Sequence, residues 1–138
     1  MPISLNKAGI KINTVDLTDY VQSLTINRGF EELEVTALGD LGRKFVRGLE
    51  TSTITLSILN DTATAKTIQT LQAAYGTTVT IVVIQEKGTV VSATNPLYTM
   101  SCLINNLQDV NGAQGDLSTQ DLTFTVNGTV AVATTGSF

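Results

Sequence analysis

With 138 residues, a hydrophobic fraction of 42% and charged residues at only 14%, the chain has the size of one domain and enough apolar content for a single modest core. Lys and Arg number 8 against 12 Asp and Glu, for a net charge of -4, which disfavours a surface built to grip nucleic acid through its phosphates. Histidine is absent and Cys102 is the single cysteine, so Ser-His-Asp and Cys-His catalysis, a His/Cys zinc cluster and an intramolecular disulfide are all excluded.

No secretory segment opens the chain, and no apolar run approaches the ~18 residues of a membrane span, so a soluble protein made without export is expected. Residues 1–15 have only scattered apolar positions (Ile3, Leu5, Ile10, Ile12) and read as an N-terminal arm or edge strand. Val15 to Tyr20 is turn-prone through Asp16, Thr18 and Asp19, whose side chains bond nearby backbone. Three alternating runs follow. In Ser23-Leu24-Thr25-Ile26-Asn27 the even positions are apolar; after Arg28-Gly29-Phe30, read as a tight turn, the order resumes as Glu32-Leu33-Glu34-Val35-Thr36-Ala37. The third run, Thr51 to Ile58, sets hydroxyls on one side and aliphatics on the other. Successive strand side chains point to opposite faces, so each run has one face for a core and one for water.

Between the second and third runs, residues 39–50 form a long loop carrying Arg43, Lys44 and Arg47, three of the 8 basic residues. Phe45, Val46 and Leu49 argue that the loop docks on something, because a solvated linker gains nothing from them. Residues 61–76 predict the one helix, opened by Asn60-Asp61-Thr62, closed by Gly76, with Thr64, Ile68, Leu71 and Tyr75 as its stripe against an apolar sheet face. Thr77 to Gln85 reads as a strand buried on both sides or covered by that helix, Thr89 to Ser92 as a possible short strand, and Pro96 as a break. Leu97 to Leu107 is extended with Tyr98, Met100, Cys102 and Ile104 on one face; Cys102 there is expected to be a small buried hydrophobe. Thr119 to Val126 points Leu122, Phe124 and Val126 inward, and residues 127–138 form a loose C-terminal tail. The fold class is mainly β: an antiparallel sandwich or half-barrel with one flanking helix.

Motifs for chemistry are thin. Glu32 and Glu34 share a strand face, but like charges there mark a solvated or negatively charged wall rather than an acid-base pair. Asp109, Asp116 and Asp121 lack the spacing of a calcium loop, and Gly39 to Gly42 with Arg43-Lys44 lacks the ending of a phosphate loop. Asn127-Gly128-Thr129 fits a glycosylation acceptor by chance alone. The expectation is a non-enzyme with no cofactor and no metal.

The succession Asp19-Tyr20-Val21, Leu33-Glu34-Val35-Thr36-Ala37-Leu38-Gly39-Asp40, Phe45-Val46-Arg47-Gly48-Leu49-Glu50 and Thr51-Ser52-Thr53-Ile54-Thr55-Leu56, continued by Asn95-Pro96-Leu97-Tyr98 and Val110 to Leu117, resembles the major tail tube protein of long-tailed bacteriophages with a non-contractile tail. That resemblance spans roughly Asp16 to Gly128 and implies a structural virion protein assembled in the host cytoplasm. Six copies would close into a ring whose inner sheets join as a β-barrel. Rings would stack into a conduit for double-stranded DNA, meeting terminator, tip and tape-measure proteins but no membrane. The inter-ring contact then maps to Asp40, Leu41, Arg43, Lys44, Phe45, Val46, Arg47 and Leu49. The lumen maps to Ser23, Thr25, Asn27, Glu32, Glu34, Thr53, Thr55, Thr99, Asp121 and Thr123, where hydroxyls and some negative charge would let DNA pass, since basic residues would hold phosphates. The implied inner strands are the hairpin, Leu97 to Leu107 and Thr119 to Val126. The tube of a contractile tail or secretion apparatus, and a free-standing β-sandwich binding module, are the other readings; the module would normally show an aromatic platform, and the chain has 3 Tyr and 4 Phe.

Overall fold

The computed structural model describes residues 7–64 and 66–138. The described chain runs β1 (Gly9–Ile12), β2 (Val15–Asp16), a 3-10 turn at Thr18–Tyr20, β3 (Val21–Glu34), β4 (Phe45–Leu59), α1 (Thr67–Ala74), β5 (Thr78–Ile84), β6 (Leu97–Leu103), β7 (Thr119–Thr125) and β8 (Ala131–Ala133). Two open sheets form, ordered β2-β1-β5-β6-β8 and β3-β4-β7. Every pairing is antiparallel, so the expected mainly β sandwich with a flanking helix is present, and neither sheet closes into a barrel.

The alternation read from sequence explains how the sheets meet. Ile54, Leu56 and Ile58 of β4 with Leu122 and Phe124 of β7 face Ile10 and Ile12 of β1, Ile81 of β5, and Met100 and Cys102 of β6 in one buried cluster. Burial there removes apolar surface from water, the main force holding the two layers together. Cys102 is free and buried, and burial pushes its thiol up to about 11. The β1 to β2 turn is two residues, Asn13 and Thr14, both with positive φ (50° and 68°), the geometry whose twist matches a tight hairpin.

Several expectations are corrected. Arg28-Gly29-Phe30 is no turn: β3 runs unbroken for 14 residues, and the reversal lies at residues 35–44. The expected loop 39–50 is therefore half strand, since β4 begins at Phe45. Of the N-terminal arm, residues 1–6 lie outside the described residues, while Gly9–Ile12 is an interior strand between β2 and β5. The helix is shorter than 61–76, and it buries Thr67, Thr70, Leu71 and Ala74; Tyr75 and Thr64 are exposed. Its buried stripe keeps the i, i+3, i+4, i+7 spacing but uses smaller residues than the expected one. Gly76 does end it with φ at +79°. On β5 Thr78 and Thr80 are exposed, so this strand is not buried on both sides. Residues 89–92 make only an isolated bridge, Ser92 to Asn95.

Nor is the tail loose. β8 pairs with β6, and Phe138 packs with Val82 and Ala133 against Ile84, Val91 and Leu97, a second small cluster. The Phe138 ring lies over the Lys11 ammonium at 4.5 Å, and a Cβ on Gly9 would come within 3.0 Å of it. Asn95, buried, ties the neighbouring loop by donating to the carbonyls of Glu86 (3.2 Å) and Thr89 (3.4 Å).

Candidate assembly surface

The β3–β4 pair is longer than the sandwich it belongs to. β7 covers β4 from Thr53 to Leu59, and the Val126 N–H donates to the Ser52 carbonyl, so residues 29–51 of the hairpin leave the body as a two-stranded arm. A lone hairpin is marginal in water, and this one is held by its own tip and by ion pairs. At the tip the Asp40 carboxylate accepts from the Ala37 N–H (2.8 Å) and pairs with Lys44 Nζ (2.8 Å). The Lys44 N–H donates to Thr36 Oγ1 (2.9 Å), and Val35 N–H to the Lys44 carbonyl (2.8 Å). The Lys44 ammonium, then the Ala37 N–H, hold the Asp40 carboxyl below the usual carboxylate range. Leu38 and Leu41 stand fully exposed on either side of it.

The three basic residues expected to reach another copy each have an acidic neighbour within the arm. Arg43 lies 3.9 Å from Glu34, Lys44 pairs with Asp40, and Arg47 lies 3.5 Å from Glu50 with its guanidinium 5.1 Å from the Phe30 ring centre. Such exposed pairs contribute under ~1 kcal/mol each. The arm's apolar residues are exposed: Phe30, with Arg47 over its ring, and Leu33, Val35, Phe45, Val46 and Leu49. Leu33, Val35 and Leu38 were not among the expected contacts; the long register of the hairpin, invisible while residues 28–30 read as a turn, is what reveals them.

On the body of the same sheet, the register assembles a polar face. Thr25 pairs with Thr55 and Thr55 with Thr123; Ser23 pairs with Ser57 and Ser57 with Asp121; Asn27 pairs with Thr53 and Thr53 with Thr125. Directly paired residues share a face, so Ser23, Thr25, Asn27, Thr53, Thr55, Asp121 and Thr123 form one surface, to which Ser57 and Thr125 are added by register alone. The hydroxyls of Thr55 and Thr123 lie 3.3 Å apart. Thr99 does not belong: it pairs with Val82 in the other sheet, so β6 is not a strand of this layer. Glu32 and Glu34 do not belong either, because strand alternation puts them in phase with Leu24 and Ile26.

A cleft of about 680 Å³ opens between the sheets beside β3, lined by Leu24, Ile26 and Arg28 on one wall and by Val83, Ile84 and Tyr98 on the other. Its lining includes, among the described residues, the hydroxyls of Thr25 and Tyr98 but no carboxylate. Among the described residues no group of three or more Cys, Asp or Glu is placed to hold a metal ion, and no helix is long and apolar enough to cross a membrane.

The geometry defines a class: a β-sandwich with an open polar-faced sheet and a projecting hairpin. Three solved structures share this fold. The chain is similar to one in the virion of a native gene transfer agent particle (TM-score 0.74, 15% identity, covering 96% of this chain and 99% of that one). It is similar to a chain in the tail of an empty gene transfer agent particle with C6 symmetry (TM-score 0.61, 12% identity, 94% and 98% covered). A chain of the anti-feeding prophage baseplate, 6-fold symmetrised, also shares the fold (TM-score 0.53, 11% identity, 96% and 95% covered). At these identities the likeness is one of fold. No family model matches the sequence, and no curated protein does.

Proposed function

We infer that this chain is a structural subunit of a phage-type tail tube, six copies closing a ring and rings stacking into a conduit for double-stranded DNA. The observation that carries this is the open β3-β4-β7 sheet, which turns a face of hydroxyls away from the core and leaves β3 without a strand neighbour at one edge, while at the other edge β7 is met only by the side chains of Asn106, Gln108 and Asn111. Exposed edges of flat strands invite pairing with further chains, and closure removes them. The six-fold symmetry of two of the similar assemblies supports six as the number. β3 and β7 each run antiparallel to β4, so in a ring with strands near the axis β7 of one copy meets β3 of the next in parallel.

The hydroxyl face then lines the lumen. Its one charge is the carboxylate of Asp121, and no Lys or Arg belongs to the face, so phosphates passing along it find nothing that would hold them by releasing counterions. The arm makes the axial contact, an open head-to-tail interaction of the kind that builds filaments. Tape-measure, terminator and tip proteins are the partners this assembly would meet, in a virion built in the host cytoplasm.

Negative-stain imaging of the concentrated protein tests the reading: tubes of uniform width with six-fold cross-sections are expected, and dispersed single copies at every concentration would refute it. The likeness to the baseplate chain favours a second reading, a ring component that does not stack; the same micrographs would then show isolated six-membered rings.

A further inference from the structure

The sandwich is shut on one flank and open on the other. On the β7 flank the chain crosses from one sheet to the other just after β6: the Ile104 N–H donates to the Thr77 carbonyl (3.0 Å), and Asn106 Nδ2 donates to the Thr123 carbonyl of β7 (2.9 Å). The end of α1 is fixed beside this crossing, because the Gly76 N–H donates to the Ile104 carbonyl (2.8 Å). Leu71 and Ala74 of the helix join the core, while Tyr75 stays outside it, 57% exposed. The β3 flank has no such closure. The cleft of about 680 Å³ opens there, and Leu24, Ile26 and Tyr98 in its walls are only half-buried. Among the described residues Arg28 is the one charged group in that lining, and no carboxylate or aromatic ring is paired with it.

The exposed aromatic and the open cleft stand at matching places on the two flanks. Thr55 of β4 pairs with Thr25, which lines the cleft, and with Thr123, whose carbonyl holds Asn106. The two features are therefore level along the strands. Both also lie between the sheets, the cleft by its two walls and Tyr75 by its place beside the crossing. Copies in a closed ring are related by rotation alone, so surfaces that meet across the interface share height and radius. With strands near the ring axis, Tyr75 on one flank and the cleft on the other meet that condition.

Resting on the tube reading, we propose that Tyr75 of one copy fills the cleft of the next copy in the same ring. Its side chain takes Leu24, Ile26 and Tyr98 out of water, and the Arg28 guanidinium gains the aromatic face that it lacks within its own chain. Charge agrees, because Asp109 lines the same surface hollow as Tyr75 and approaches Arg28 with the opposite sign. An aromatic anchor seated in a pocket beside an arginine is the composition that dominates interface energies. The contact is lateral and owes nothing to the arm.

Tyr75 and Arg28 sit on opposite flanks of one chain, so any energetic coupling between them arises across copies, and a double-mutant cycle on the concentration at which tubes appear tests it. Tyr75→Ala should raise that concentration by at least about tenfold, the factor that corresponds to ~1.4 kcal/mol, and Tyr75→Phe should leave it near the parent value. Arg28→Ala should raise it as well, and the double variant should exceed the larger single effect by less than about twofold. The urea midpoint should stay unchanged in every variant, since both side chains are exposed in the free protomer. An unchanged tube concentration for Tyr75→Ala, single effects that multiply in the double variant, or a matching fall in the urea midpoint overturns the proposal while leaving the tube intact. Failure of the unsubstituted protein to form tubes overturns the tube reading and this inference with it.

Discussion

Gly48 lies beside Glu31 where β4 carries one residue more than β3, a bulge in the arm, and Gly48→Ala isolates its role. A Cβ there would stand 2.9 Å from both the Cβ and the carbonyl oxygen of Glu31, closer than carbon contacts allow, and one of the two is backbone. Relief requires the strands to separate or the bulge to move, and overpacking of this kind costs ~1–3 kcal/mol. The arm lies outside the core cluster, so this cost falls on local opening of the arm rather than on the sandwich. Amide exchange at residues 30–35 and 44–49 should accelerate by about 5- to 150-fold, the range matching ~1–3 kcal/mol. The cooperative urea transition should move by less than about 0.5 kcal/mol. The concentration at which tubes appear should rise, because an arm that opens more often makes a weaker axial contact. Unchanged exchange in the arm would refute the steric argument, and an equal loss in the urea transition would refute the independence of arm and body.

Phe124 is fully buried between the sheets; Phe124→Ala should cost ~3–5 kcal/mol, a large part of the ~5–15 kcal/mol of a typical domain, read as a fall in the urea midpoint, and a loss under ~1 kcal/mol would contradict the placement of the core. Asp16 bonds Lys87 Nζ at 2.6 Å; partial burial pushes its carboxyl up, but the bonds from Lys87 and Thr18 outweigh that and hold it at about 2, against 3.8 ordinarily. Because the folded value is the lower one, the stability it adds is present above about pH 4 and fades as pH falls toward about 2. Both side chains are more than a third exposed, which limits the term to under ~1 kcal/mol. The stability difference between the parent and Asp16→Asn should therefore shrink over that window, and a constant difference from neutral pH down to pH ~2 would dismiss the assignment.

Much of the sandwich is legible in the sequence because it obeys local periodicity. Thr51 to Ile58, Leu97 to Ile104 and Leu122 to Val126 fold as their alternation reads, and Gly76 stops the helix in the conformation glycine supplies. The hairpin shows where that reading stops. The apolar phase does change, from even positions at Leu24 and Ile26 to odd positions at Leu33 and Val35. A turn at Arg28-Gly29-Phe30 is one account of the change; the other, a continuous strand whose apolar residues pass from the core side to the opposite side, needs the register with β4. Gly29 carries no positive φ, and the real reversal is set by Asp40 and its bonds to Ala37 and Lys44, which composition alone does not single out. The seat of Phe138 against Lys11 and Gly9, and the separation of Thr99 from the other hydroxyls, are products of long-range pairing. The helix misleads because its buried side carries the small side chains of Thr67, Thr70 and Ala74 beside Leu71, while the larger Tyr75 stays exposed.

An arm that leaves the sandwich from one end only also gives any column of these chains a direction. Its two extremities are chemically unlike: one displays a crown of bare aliphatic hairpins, the other the surfaces on which such hairpins would have settled. Growth can then proceed from a seed that presents a single kind of extremity. A cap needs to match only the remaining one, so polarity and arrest of the column both reside in the shape of its smallest part.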